Sequence, residues 1–320
     1  MENNFHKWNK TKILFLNWLA KTELKDIFSK KLRFNNLSLW WISDLATKDV
    51  VLNNEWYKEL FNILNEKKYN KKNIYKFSFL KYFKKFIFTI IFTIFCKIFF
   101  PIKKDTKNFK NCFFSYERNL IKFKDLQVDR QYGFYQFRKK ASCFVIFLIP
   151  NLDTIFNFKK KKNQFSSLHA NYTIFNSHIA IFDIFKIYLR VFIYWFKLKL
   201  ILSRKNFFYI KNKDCRHVLQ TLLESSFYGK IQDELIFGLA LKRIMNSNNF
   251  ERFYNYLEFL QFSRSFYHFV KSSNPKIKII TINHYPYDAN LLFFALNKKE
   301  FSKSNNHLRY SPKPDIFLTQ

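Results

Sequence analysis

The sequence predicts an α/β fold with a mostly parallel, Rossmann-like sheet flanked by helices, and three observations carry that reading. Residues 141–150 (ASCFVIFLIP) form a short, continuous apolar run closed by Pro150 and Asn151, the pattern of a strand buried on both faces. Residues 276–283 (KIKIITIN) give a second strand of the same kind. From Lys110 onward, strand-like and helix-length stretches alternate, which is the chain order of a helix-covered parallel sheet.

Taken in order from the N-terminus, residues 11–17 (TKILFLN) read as a short buried strand and 18–30 as helix. A further helix starts near Leu39 and runs past Leu45, with Ser38 in the N-cap position. Residues 53–64 form another, with Glu55 and Glu59 in its early turns. The basic polar stretches 66–73 and 103–110 read as loops. Between them lies 86–100 (FIFTIIFTIFCKIFF), preceded by Lys81, Lys84 and Lys85. Its uncharged part, 86–96, is too short to span a membrane, which takes about 20 apolar residues. Two readings stay open: a helix lying in the membrane interface with its lysines near anionic headgroups, or a buried helix of a soluble domain.

Beyond Lys110, residues 112–116 read as a strand, 129–140 as a loop with a short helix, and 159–163 as a solvated basic run. Residues 179–202 carry Lys186, Arg190 and Lys197 on one face, which marks a core helix with a basic outer stripe. Helices follow over 228–246 and 250–272, and 316–319 begins one more strand. The chain divides into a mostly helical portion, 1–105, with the basic-apolar helix near 81–100, and a Rossmann-like α/β portion, 106–320. It stops in a strand-like run, SPKPDIFLTQ, and is read as a fragment.

Composition narrows the function. Lys and Arg number 56 against 23 Asp and Glu, a net charge of +33, beside 44 Phe and only 3 Gly. Phe, Ile, Lys, Asn and Tyr share A/T-rich codons, so genome bias competes with function as the source of this charge. Three glycines cannot write a Gly-rich phosphate loop of the Walker or dinucleotide-binding kind. Cys96, Cys112, Cys143 and Cys215 contain no C-x-x-C pair, which argues against a zinc ribbon or a disulfide framework and for buried, reduced thiols in a cytosolic protein. The N-terminus lacks a signal-peptide core, so the expected location is cytoplasmic, with peripheral attachment to the inner membrane left open. No D-x-D tripeptide is present to hold a metal–nucleotide complex; neither metal nor cofactor is expected.

Three islands of sequence resemble the bacterial surface-carbohydrate biosynthesis proteins, a glycosyltransferase-like family linked to capsule and lipopolysaccharide. They are LSLWWISDL at 37–45 with Lys48 behind it; DRQYG at 129–133 with the strand ending at Pro150; and the run from Tyr256 to Gln320. In the last, a glutamate-containing helix, a small-residue turn, a strand ending in a histidine and a Pro-Asp strand come in the family's order. The resemblance implies the N-terminal half of a GT-B architecture, two Rossmann-like halves facing across a cleft, with the donor-binding half beyond Gln320. It implies a nucleotide-sugar as donor and a glycan or lipid-linked acceptor.

The residues that would carry this chemistry can be named. His284 follows strand 276–283 at its carboxyl end, where ligands meet open α/β sheets. Its near-neutral pKa suits a base for an acceptor hydroxyl, or a donor to phosphate oxygens. Glu258 is a second candidate base, and Arg264 the cation that neutralises a leaving diphosphate. Asp129 and Arg130 precede Gly133 in a loop that either faces substrate or forms a structural turn. Of Trp40 and Trp41, one belongs to the core; the other either packs or stacks on a sugar ring. Two other functions stay open: a catalytically silent scaffold or half-enzyme of the same pathway, and a basic nucleic-acid-binding protein. Against the second, the lysines are spread along the whole chain and no nucleic-acid-binding signature appears, so no specific nucleic acid is expected as a partner.

Overall fold

The computed structural model describes residues 2–47, 55–66, 78–102, 109–123, 126–129, 132, 142–166, 171–256, 263–283 and 306–319. They fall into two compact units, each assembled from separate stretches of chain. The first comprises Met1–Tyr82, Tyr188–Glu234 and Tyr287–Lys313; the second comprises Phe83–Ile187, Leu235–Pro286 and Pro314–Gln320. These units interleave along the sequence, whereas the division expected at residue 105 is a single cut.

The first unit is helical. It holds α1 (Glu2–Lys21), α2 (Leu24–Lys31), α3 (Asp44–Thr47) and α4 (Glu55–Leu64), with two tight hairpins, β1 (Arg33–Phe34) with β2 (Leu37–Ser38) and β8 (Tyr209–Ile210) with β9 (Lys213–Asp214). Both hairpins turn on two residues at positive φ, Asn35–Asn36 and Lys211–Asn212, the primed turn that matches strand twist. The core is aromatic: Phe15 meets Trp56 at 5.7 Å and Phe28 meets Trp40 at 5.6 Å, both edge-on. Asp44 is held by Lys230 Nζ at 2.9 Å and accepts from Ser226 Oγ at 2.9 Å.

The second unit is built on a six-stranded, wholly parallel sheet. Its strands are β3 (Asn111–Tyr116), β6 (Ser142–Phe147), β7 (Asn171–Ile174), β10 (Arg252–Tyr256), β11 (Lys278–Asn283) and β12 (Ile316–Thr319), in the spatial order β12-β11-β10-β3-β6-β7. Three strands wind outward one way from β3 and three the other way from β10. That is the Rossmann order, with its switch point between β3 and β10. A small antiparallel hairpin, β4 (Leu120–Phe123) with β5 (Leu126–Asp129), hangs on the carboxyl end of β3.

Period-two side-chain alternation gives the sheet two buried faces. Phe113 and Phe144 point to one face, where they pack with Phe92, Phe95 and Cys96 of α5 (Phe79–Phe99). Phe114 and Phe147 point to the other. There Phe147 meets Phe237 of α10 (Lys230–Asn246) at 5.2 Å, and Phe114 meets Phe266 of α11 (Ser263–Ser273) at 4.9 Å. The remaining α-helices among the described residues are α6 (Leu152–Phe156), α7 (Phe158–Ser166), α8 (Ile181–Arg204) and, in the first unit, α9 (Arg216–Ser225). All four cysteines are buried and none is disulfide-bonded.

The structure corrects several sequence expectations. Residues 11–17 are not a strand but the middle of α1, because Thr11, Phe15 and Leu19 are buried at a spacing of four while Ile13 is exposed. The expected helix past Leu39 is a 3₁₀ turn, Leu39–Ile42, broken at Ser43 before α3, and Ser38 provides no side-chain cap. Residues 159–163 lie within α7. The largest difference is at 250–272, expected as one helix. It opens with β10, where Phe253 is fully buried and Tyr254 stacks on Phe113 at 4.3 Å, and Ser263–Ser273 within it is helical. A segment saturated with Phe and Tyr satisfies both the helical and the strand period, and aromatic residues favour the sheet.

Helix α5 buries one face and exposes the other. Phe83, Ile87, Ile91, Ile94 and Ile98, spaced three or four residues apart, are 38% to 64% exposed. In the same unit Phe182 and Phe185 of α8 are exposed, and Phe86 links Phe83 to Phe185 through ring contacts of 6.2 and 5.2 Å. The basic residues Lys186, Arg190 and Lys197 do lie on the outside of α8, as expected. An apolar series, Phe182, Phe185, Leu189, Ile193, Phe196 and Leu200, shares that exposure. No helix among the described residues is long and apolar enough to cross a membrane.

Candidate functional site

The switch point is where the sheet splits. Neighbouring pairs β3–β6 and β10–β11 stay in register over six and five residues, but β3 and β10 pair over only three, Asn111–Phe113 against Arg252–Tyr254. Beyond Phe113 the two strands separate toward their carboxyl ends, the place where open α/β sheets receive ligands.

Tyr132 sits at this split. Its hydroxyl lies 2.8 Å from Phe114 O on β3 and 3.2 Å from Tyr254 O on β10, and its ring meets Phe113 edge-on at 5.0 Å. Asp129 fixes it: the fully buried carboxylate accepts from the Tyr132 backbone N–H at 3.1 Å through Oδ1 and from Ser115 Oγ through Oδ2. The DRQYG island therefore meets the sheet at its switch point. Tyr132, inside that island, was overlooked in the sequence, although its place between Asp129 and Gly133 was the available signal.

On the β10 side, a buried polar network lines the start of α11. Asn255 Nδ2 donates to Ser263 Oγ at 3.1 Å, and Tyr267 Oη and Thr281 Oγ1 lie 2.8 Å apart. Burial pushes the Tyr267 hydroxyl up to about 12, so it stays protonated as a donor. Arg264, half-buried in the first turn of α11, stands close enough to favour the ionised phenol. A helix that crosses between parallel strands brings its N-terminus to their carboxyl ends, so Arg264 is on the ligand side of the sheet.

On the β3 side, Glu117 follows the strand directly. It is buried, paired with Lys161 Nζ at 2.9 Å, and accepts from the Ile149 N–H at 3.3 Å and Thr154 Oγ1 at 3.4 Å. These bonds tie the carboxyl ends of β3 and β6 together. Arg118 lies over the Tyr116 ring at 5.3 Å. A short 3₁₀ turn, Glu117–Asn119, occupies the position where dinucleotide-binding folds carry a glycine turn and a helix, in keeping with the scarcity of glycine.

Of the sequence-predicted residues, Asp129 and Arg264 lie on the carboxyl-end side of the sheet. Arg130, Gly133, Glu258 and His284 lie outside the described residues. In sequence, Glu258 comes two residues after β10 and His284 one residue after β11, and these two strands are adjacent and parallel. No group of His, Cys, Asp and Glu among the described residues is arranged to hold a metal ion.

In comparison with known proteins, no family model matches the chain, and neither does any curated protein or solved structure.

Proposed function

We propose that this protein is a glycosyltransferase of surface-carbohydrate biosynthesis, with its reaction centre at the carboxyl ends of β10 and β11. The single observation that carries the reading is the split of a Rossmann-ordered sheet between β3 and β10, with Arg264 on its ligand side. In this reading the donor is a nucleotide-sugar and the acceptor a glycan or lipid-linked sugar of capsule or lipopolysaccharide, and the reaction runs without a metal. His284 or Glu258 takes the proton of the acceptor hydroxyl as its oxygen bonds to the anomeric carbon. The bond from that carbon to the diphosphate oxygen breaks, and Arg264 neutralises the departing charge.

The proposed setting is the inner, anionic face of a membrane. The exposed apolar series on α5, joined by Phe182 and Phe185, has the form of an interfacial helix, and Lys81, Lys84 and Lys85 lie in its first two turns. Lipid-linked acceptors would be met there.

The test is release of nucleoside diphosphate from a panel of nucleotide-sugars in the presence of acceptor glycan. His284→Ala and Glu258→Ala are compared with the parent protein, and circular dichroism checks their folding. Loss of turnover with retained fold upholds the assignment; unchanged turnover in both variants removes it.

A further inference from the structure

The first unit contains a cavity of about 580 Å³ that the reaction proposed above does not use, lined by α2, the β1–β2 hairpin and the turn at 306–310. Its wall carries Lys25, Lys30, Arg33 and Arg309 against one carboxylate, Asp26. Among the described residues, no carboxylate pairs with Lys30, Arg33 or Arg309. Trp41, Leu308 and Tyr310 supply an apolar side.

The wall is anchored rather than loosely draped. Arg33 stands on a hairpin whose backbone is held by Tyr194 Oη donating to Arg33 O at 2.7 Å. The opposite turn is closed by the Arg309 and Tyr310 N–H groups donating to Asn306 O, at 3.2 and 3.0 Å. It is pinned to β2 by the Ser38 N–H donating to His307 O at 3.2 Å. Lys25 Nζ donates to Ala20 O, which holds that ammonium at the cavity edge.

Concentrated positive charge in a concave site of ligand size, with an aromatic side, matches a phosphorylated molecule. Guanidinium forks suit phosphate oxygens, and indole and phenol rings suit a sugar or base. We infer that this cavity is a binding site for a phosphate- or diphosphate-bearing ligand, held by Lys30, Arg33 and Arg309 with Trp41 and Tyr310 beside its organic part. The inference stands apart from the proposed sugar transfer and survives if that reading fails.

Titration calorimetry of the full chain with inorganic pyrophosphate, and separately with uridine diphosphate, tests it. Arg33→Ala/Arg309→Ala removes two exposed cations from the wall. Lys21→Ala/Lys58→Ala removes two exposed cations of the same unit outside it. The expected result is a loss of at least about tenfold in affinity for the first pair, since charge-assisted hydrogen bonds are the strong ones, and less than about twofold for the second. Tighter binding of uridine diphosphate than of pyrophosphate identifies an organic phosphate as the ligand; equal binding identifies the free anion. Equal weakening by both variant pairs, or no binding by the parent protein, overturns the assignment.

Discussion

Tyr132 shares its phenolic hydrogen between Phe114 O at 2.8 Å and, more weakly, Tyr254 O at 3.2 Å, and so closes by a side chain the gap that backbone pairing leaves between β3 and β10. One hydroxyl thus reaches a carbonyl on each side of the place where the ladder stops. Tyr132→Phe keeps the ring contact with Phe113 and removes only the donor. The expected cost is about 1–3 kcal/mol, the range for buried acceptors left unsatisfied. Urea denaturation measures it; a variant as stable as the parent would show that water replaces the hydroxyl.

Gly238 has a different kind of necessity. A Cβ built there would lie 2.1 Å from Phe269 Cδ2 and 2.4 Å from Cε2, so α10 and α11 approach at a point where no side chain fits. Gly238→Ala is expected to destabilise by about 1–3 kcal/mol through overpacking, against the roughly 1 kcal/mol that alanine gains over glycine in a helix. Adding Phe269→Leu should recover part of the loss. A stabilised Gly238→Ala would refute the close approach.

His178 gives the stability a pH dependence of known sign. Burial, helped by Lys97 and Arg243, lowers its pKa from 6.5 to about 4, while its ring bonds Thr173 Oγ1 at 2.8 Å. The folded state holds the ring neutral, and on acidification the unfolded chain takes the proton first. This contribution is complete above pH 6.5 and is lost as pH falls toward 4; it amounts to something on the order of 3 kcal/mol. Denaturant midpoints of the parent and His178→Gln, followed over that interval, should converge as the pH is lowered. Parallel curves would mean that the ring does not titrate there.

The apolar series of α5 makes a prediction about vesicles. Ile91→Ser/Ile94→Ser should weaken sedimentation with anionic lipid vesicles by about tenfold or more, since burying each isoleucine is worth about 1.5–3 kcal/mol. Both side chains are exposed, so stability should hardly change. Vesicle binding that ignores the substitutions, or concentration-dependent self-association abolished by them, would assign the face to another partner.

The sheet was legible where burial was continuous. Residues 141–150 and 276–283 hold strands where their apolar runs put them, because strands covered on both faces need no alternation; the strand beginning at Ile316 is an exposed edge strand, found from its apolar run alone. The fourth strand of the sheet was hidden in RFYNY, where aromatic residues on both sets of alternate positions (Phe253 against Tyr254 and Tyr256) write no clean apolar-polar alternation. β7 (NYTI) is four residues long and half-polar, too brief to register as a period. Asp129 and Arg264, named from local motifs, lie on the carboxyl-end side of the sheet, but the split at the switch point was not legible. It is a relation between strands far apart in sequence, and Tyr132, which spans it, is one tyrosine among 18. Exposure was the least legible property: in a chain with 44 phenylalanines, the apolar outer face of α5 looks in sequence like core.

The measurement that reaches the central proposal most directly is nucleotide-sugar turnover with acceptor glycan, in the parent protein and in His284→Ala. A fall of at least about a hundredfold in kcat with fold retained, the size typical of losing a general base, is the expected result. Turnover in the variant equal to that of the parent would contradict the placement of the reaction at the carboxyl end of β11.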